Sequence, residues 1–553
     1  MSDAVALADE YWEFYRGSAQ MWNIDRGDVE QIAHWEDYSP NGVAARTERL
    51  NSFASRAAGL SSAVLSERDH SLVAAVAFSA RSASSMLPYE RDLALVASPF
   101  NFATYLSVLV PGYSLVTREH GEGYLAKLRS LPSFIDGWIA GLRDGVATGR
   151  VATARGVVAA ISSFDALLAI DPVYHPLASQ SPPSEASPTE VDKWRADVLE
   201  AIGDVVGPAI ARLRKFLEGE VLPEAGTDQQ AGICHLVGGL DDYRALLRAS
   251  TSTDLTPAAV HELGLQQLAL LDDEYRRLGP STLGSDDPAQ LRERLRSDQS
   301  LRYATAHEII ADAMATLARA EAVAPRWFAR LPHARCTAVA SEVGAMAYYT
   351  GPSPDGTRGG TFFFNTSDPT AWTRFQLEVT TFHEAVPGHH LQLALAQELD
   401  LHPVLGELEV NGYQEGWGLY AERLADEMGL YSSPLQRLGM LTLDSLRAVR
   451  LVVDTGLHAM GWTRDEAVEF FLAHTAQERR NAESEIDRYI ATPGQAPSYM
   501  IGRLEIQRLR LQAERELGQR FAIGEFHDVV LANGMTPLLN LARTVEAWLQ
   551  RSV

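Results

Sequence analysis

The chain has 553 residues, 46% hydrophobic and 22% charged, which allows a large core and fits a soluble globular protein. Its formal net charge of -24 would repel phosphate backbones and argues against nucleic-acid partners. The two cysteines, Cys234 and Cys336, are too few for a disulfide framework and suit a reducing compartment.

In chain order, the opening "MSDAVALADEYWEFYRG" has no basic segment followed by an apolar run, so a secretory signal is not expected and the chain is placed in the cytoplasm. The uncharged stretch 93–117 is interrupted by Pro99, Asn101, Pro111 and Gly112. That pattern predicts buried helix, turn and buried helix rather than a membrane span, which needs about 20 mostly apolar residues. No membrane association is expected.

Helical periodicity dominates the rest. "GVAARTERLNSFASRAAGLSSA", "ALLDDEYRRL", "AHEIIADAMATLARAEAV" and "GYQEGWGLYAERLADEMG" repeat apolar residues at three- and four-residue spacing. Residues 178–188, "ASQSPPSEASP", read as a surface loop within one unit or a divider between two. The segment "AMAYYTGPSPDGTRGGTFFFNTSD" carries aromatic and β-branched runs around a Pro-Asp-Gly turn, which predicts a small β-hairpin or sheet.

"TFHEAVPGHHLQ", residues 381–392, follows that hairpin. Two other His-Glu pairs, His261-Glu262 and His307-Glu308, have Leu265 and Ala311 at the fourth position after the histidine and read as helix-surface pairs. His383-Glu384 differs because His389 and His390 follow closely. Two imidazoles on one metal ion must converge to about 2.0–2.1 Å from it, and a regular helix brings i+4 back to the face of i. That position is Pro387. His390 lies on the right face but about 10 Å along the axis. Pro387 and Gly388 favour an outward bulge that would carry His389 to the i+4 location. His389 is therefore taken as the second ligand, with His390 the alternative. The later helix "NGYQEGWGLYAERLADEMG" offers Glu415 as third ligand, or Glu422. Small residues beside Glu415 would let that helix pack closely, and Glu422 would suit the role of holding a ligand histidine.

"HEAVPGHHLQ", "NGYQEGWGLYAERLADEMGLY" and "PGQAPSYMIGRLEI" resemble, in order and spacing, the bacterial domain-of-unknown-function family 885. More loosely, so do "EYWEFYRGSAQMW" and "LRASTSTDLTPAAVHELGL". That family is in turn similar to gluzincin peptidases of the angiotensin-converting-enzyme-like and thermostable-carboxypeptidase-like types. The resemblance implies a mainly α, large helical metallopeptidase fold with a small sheet beside the active-site cleft. It implies one unit over 1–553, mainly helical over 1–330, with strands, metal motif and C-terminal helices over 331–553. Matching Gly-His of the gluzincin pattern to Gly388-His389 supports His389, and matching the later Glu supports Glu415. The two inserted residues are the departure.

The expected activity is hydrolysis of short peptides by a water on Zn²⁺ held by His383, His389 and Glu415, with Glu384 as general base. Tyr499 resembles the late tyrosine that gluzincins use on the oxyanion, and His458 is a second candidate. Arg488 and Arg503 are candidates for gripping a peptide carboxylate. "GGTFFFNT" is expected to supply a strand edge for an extended peptide. The competing readings are a zinc hydrolase of another amide or an ester, and an inactive metal-bearing binding protein. The sequence does not indicate an oligomeric state.

Overall fold

The structure is a computed structural model that describes residues 2–18, 29–61, 65–96, 101–342, 346–353 and 356–552. It is mainly helical, with one small sheet. Helix starts follow the sequence. Ser39, Ser66, Thr256 and Ser433 each accept, through the hydroxyl, a backbone N–H three residues on. Thr305 and Glu308 close a capping box at Ala306–Val323, so the Glu of the second His-Glu pair is a helix cap. In the first pair, His261 Nδ1 lies 2.8 Å from the Thr455 hydroxyl. Neither joins the cluster described below.

The helix Pro434–Met460 runs through the interior and is buried on nearly every face from Leu438 to His458. It packs along Pro257–Leu283 on one side. The helix Asn411–Glu427, here the acidic helix, packs along Ser498–Leu517, here the tyrosine helix. Their backbones touch: a Cβ on Gly416 would lie 2.5 Å from Gly502 Cα. The small residues around Glu415 thus permit the close packing expected of them. Buried side chains from Ala4 to Leu549 join one hydrophobic cluster.

Strands β1 (Cys336–Ser341), β2 (Ala347–Thr350) and β3 (Gly360–Asn365) form a sheet in the order β1-β3-β2. β1 runs parallel to β3, and β2 antiparallel to it, with Tyr348 opposite Phe363 and Tyr349 opposite Phe362. Phe362 and Phe364 point into the core with the period of a strand. The expected hairpin is therefore β2–β3, extended by β1; Pro354 and Asp355 of its turn lie outside the described residues. One expectation is corrected. "GGTFFFNT" forms the central strand, paired on both sides, so it offers no free edge. The edge beside the metal motif is β2, which packs against Leu377–Glu384.

The described part of 93–117 is a series of short helical turns with Phe102, Tyr105, Leu106 and Val110 buried, and residues 97–100 lie outside the description. Among the described residues no helix is long and apolar enough to cross a membrane. Within the Pro- and Ser-rich segment, Ser184 and Glu185 donate backbone hydrogen bonds to the carbonyls of Leu115 and Val116, pinning it to the preceding helical part.

Candidate metal centre

The motif folds as two helices rather than one bulged helix. The first, Leu377–Glu384, stops at Ala385, and the second, His389–Glu398, begins after Gly388. Pro387 has no N–H to continue the ladder, and the Val386–Pro387 bond is cis. The His390 amide reaches back to the Ala385 carbonyl at 3.1 Å, a closure one residue wider than an α-turn. From the acidic helix, the Trp417 indole N–H donates to the carbonyls of Pro387 at 3.0 Å and Gly388 at 3.3 Å, which fixes the break. A Cβ on Gly388 would meet the His383 carbonyl oxygen at 1.9 Å, so the chain closes this tightly only through glycine.

The break turns His389 onto His383. Their rings lie 4.6 Å apart, nearly perpendicular. Glu415 Oε2 sits 3.4 Å from His383 Nε2 and 3.5 Å from His389 Nε2. These separations match the edges of a tetrahedron about zinc, roughly 3.3–3.4 Å for ligands at 2.0–2.1 Å. Glu415 Oε2 is buried and accepts no hydrogen bond, an arrangement that a cation satisfies. The donor set of two imidazoles and one carboxylate fits zinc, and these three residues form the one group of this kind among the described residues.

The surrounding charges favour a cation. Burial disfavours a charge on His383, yet the carboxylates of Glu415 and Glu422 outweigh it and push its pKa up to about 10. Burial works the other way on Glu415, and the two imidazoles still hold it well below the usual carboxylate range. Glu422, fully buried, lies 2.8 Å from His383 Nδ1, which leaves Nε2 for the cluster. Arg447 approaches the same Glu422 oxygen at 3.5 Å. Glu384 is raised by burial, with His383 and His389 opposing. Glu415 keeps 21% of its side chain accessible, although its Oε2 is buried.

The remaining candidates divide. His390 points away: its Nε2–H donates to the Ala334 carbonyl at 3.0 Å, and Nδ1 accepts from the Tyr349 hydroxyl at 2.8 Å. It ties β2 to the motif and leaves no nitrogen for a metal; burial pushes its pKa down to about 4. Glu422 supports a ligand and is not one of the three. Tyr499 stands at the start of the tyrosine helix, close enough to Glu415 for that carboxylate to help raise its pKa, after burial. The Arg450 guanidinium lies over its ring at 4.7 Å. Nearby Gln495 accepts from Arg488, through its Oε1, at 2.9 Å.

His458 is corrected. Its Nδ1 accepts from the Ile233 N–H at 3.2 Å and its Nε2–H donates to the Tyr489 carbonyl at 3.0 Å, so no ring nitrogen is left for an oxyanion. Arg503 is occupied by Asp444 at 2.9 Å and Gln267 at 3.1 Å, and Arg488 by Glu485 and Gln495. Sequence reasoning missed Trp417, which fixes the break, and Gly418, where a Cβ would meet His383 Cε1 at 2.6 Å. They follow Glu415 by two and three residues on the acidic helix, a signal read only as helix packing.

Residues 21–545 match the family model described as "Bacterial protein of unknown function (DUF885)". Among solved structures, a protein from Colwellia psychrerythraea described as a "putative lipoprotein" is similar with a TM-score of 0.88 and 25% identity, covering 100% of both chains. A second protein so described, of unknown function, from Shewanella oneidensis, shares the fold with a TM-score of 0.77 and 15% identity, covering 98% of this chain and 99% of its own. No curated protein matches the chain.

Proposed function

The chain belongs to this bacterial DUF885 family, and we propose that it is a gluzincin-like zinc peptidase acting on short peptides. The observation that carries the reading is the convergence of His383, His389 and Glu415, with the buried, unbonded Glu415 oxygen between two imidazole nitrogens. Zinc bound there supplies Lewis acidity, lowering the pKa of a water and polarising a carbonyl.

The chain's own residues do the rest. Glu384 directly follows a ligand, and its raised pKa brings it nearer the value suited to moving a proton at neutral pH. Its carboxylate takes a proton from the water that adds to the substrate carbonyl carbon, then delivers it to the leaving nitrogen as the C–N bond breaks. The Tyr499 hydroxyl donates a hydrogen bond to the carbonyl oxygen as negative charge grows there. Glu422 holds the His383 ring so that Nε2 keeps its aim. A purely structural site has no use for a base beside its ligand, which favours the hydrolase over an inactive binding protein.

The test is metal analysis of the purified protein, followed by digestion of a peptide library read by mass spectrometry. Zinc near one equivalent with cleavage abolished by chelation is expected. A metal-free protein that zinc does not activate would sink the reading, and cleavage of small amides or esters but not peptides would move it to the other hydrolase class. The solved neighbours are each described as a "putative lipoprotein", a description that, carried to this chain, would put it at a membrane surface instead of the expected cytoplasm. Cell fractionation decides between them.

A further inference from the structure

Tyr499 stands second in its helix, where backbone amides have no partner in the helical ladder and the chain is held least firmly. It is held instead from a helix distant in sequence. Arg450, Asp454 and His458 follow one another at four-residue spacing on the buried helix Pro434–Met460, so they turn to one side of it. All three bind the stretch 485–499 that delivers the tyrosine. His458 holds the Tyr489 carbonyl. Asp454 accepts the Gly494 N–H at 3.0 Å and the Tyr243 hydroxyl at 2.6 Å. Gly494 has a φ of +82°, and a Cβ on it would meet the Leu247 amide nitrogen at 2.7 Å, so this anchored turn requires glycine.

Arg450 reaches Tyr499 itself, with its guanidinium carbon 4.7 Å from the centre of the ring. The guanidinium is locked in turn. Its Nε donates to the Tyr489 hydroxyl at 2.8 Å and its Nη2 to Glu485 at 3.0 Å, while the Tyr489 hydroxyl donates to the same Glu485 oxygen. These three bonds close a ring that sets the plane of the guanidinium. Arg488 braces Glu485 with two more, at 3.2 and 3.1 Å. Positive charge alone would not do this. An ammonium presents no plane to the aromatic ring and has no rigid fork for Tyr489 and Glu485.

Resting on the peptidase reading, in which Tyr499 serves the oxyanion, we infer that Arg450 is a positioning residue: its guanidinium, locked by Tyr489 and Glu485, holds the Tyr499 ring in the orientation it presents to the metal centre. It acts through Tyr499 and touches neither metal nor substrate. A hydrogen bond to a growing negative charge depends on aim, and a displacement of about 1 Å can cost about 10²-fold in rate.

The experiment introduces Arg450→Lys into the zinc-loaded protein, alone and together with Tyr499→Phe. Alone, it should lower kcat about tenfold and leave KM within about twofold. In the Tyr499→Phe background it should change kcat by less than about twofold, because the hydroxyl it aims is gone. An equal loss in both backgrounds would make Arg450 part of the general scaffold. An unchanged kcat in the single variant would show that charge suffices. Either result overturns the inference. Arg450→Gln, which can still bond Tyr489, replaces the lysine variant if that one does not fold. A second readout needs no activity: 3-fluorotyrosine is placed at position 499 and observed by fluorine NMR. The parent should give one narrow resonance, and Arg450→Lys several or a broadened one. A single narrow line in both proteins overturns the positioning role. If the parent protein cleaves no peptide, the peptidase reading fails, and the fluorine spectra still decide whether Arg450 holds the ring.

Discussion

Gly418 lies directly under the His383 imidazole. A Cβ at Gly418 would meet His383 Cε1 at 2.6 Å and both ring nitrogens at 2.9 Å. The ring owes its position to the absence of one methyl group, and Glu422 on Nδ1 then sets its rotation. Gly418→Ala should displace His383 and cut zinc affinity at least about tenfold, while circular dichroism shows the same helix content. Unchanged zinc affinity by competitive titration would show that His383 can move without loss.

Ligand and base separate by substitution. Glu415→Ala should release the metal. Glu384→Gln should keep it and lose turnover by about 10²–10⁴-fold, the range of a positioned general base. Metal content measured beside kcat reads both. Retained zinc in Glu415→Ala would remove that residue from the set of ligands.

Glu422→Gln keeps the shape but weakens the acceptor on His383 Nδ1. Zinc affinity should fall by about 10–100-fold, as for other carboxylates that orient a ligand histidine. A chelator competition assay measures it, and an unaltered value would assign Glu422 to packing alone.

Tyr499→Phe removes only the phenol hydroxyl. The expected loss is about 10²–10³-fold in kcat with KM nearly unchanged, because the bond strengthens in the transition state. A loss confined to KM would place Tyr499 in ground-state binding.

His458 gives a pH prediction of stability. Burial pushes its pKa from 6.5 down to about 4. Between those values the unfolded chain binds a proton that the folded chain excludes. The stability contributed by the neutral ring is full above about pH 6.5 and is lost as pH falls towards 4, by roughly 3 kcal/mol at most. His458→Gln can still accept from Ile233 and donate to Tyr489. Its unfolding free energy should fall less steeply over that range, and a slope equal to that of the parent would refute the assignment.

The sequence alone determined what depends on near neighbours. Helices could be placed from apolar spacing and caps, because a capping hydroxyl acts on an amide three residues away. His383, Glu384 and Glu415 could be picked because metal chemistry needs those groups, and the acidic helix has few ways to present them. The choice of His389 over His390 was argued from Pro387-Gly388, but the form of the break was not legible. It depends on Trp417, which holds two carbonyls of the break from a helix about 30 residues on. Tertiary structure alone decided that β3 is central and β2 the edge, since strand order follows from packing against helices distant in sequence. It also separated Tyr499 from His458. Both looked alike as polar residues near apolar runs. What distinguishes them is that partners far along the chain, Ile233 and Tyr489, consume both ring nitrogens of His458, whereas Tyr499 stands close enough to Glu415 for that carboxylate to help raise its pKa.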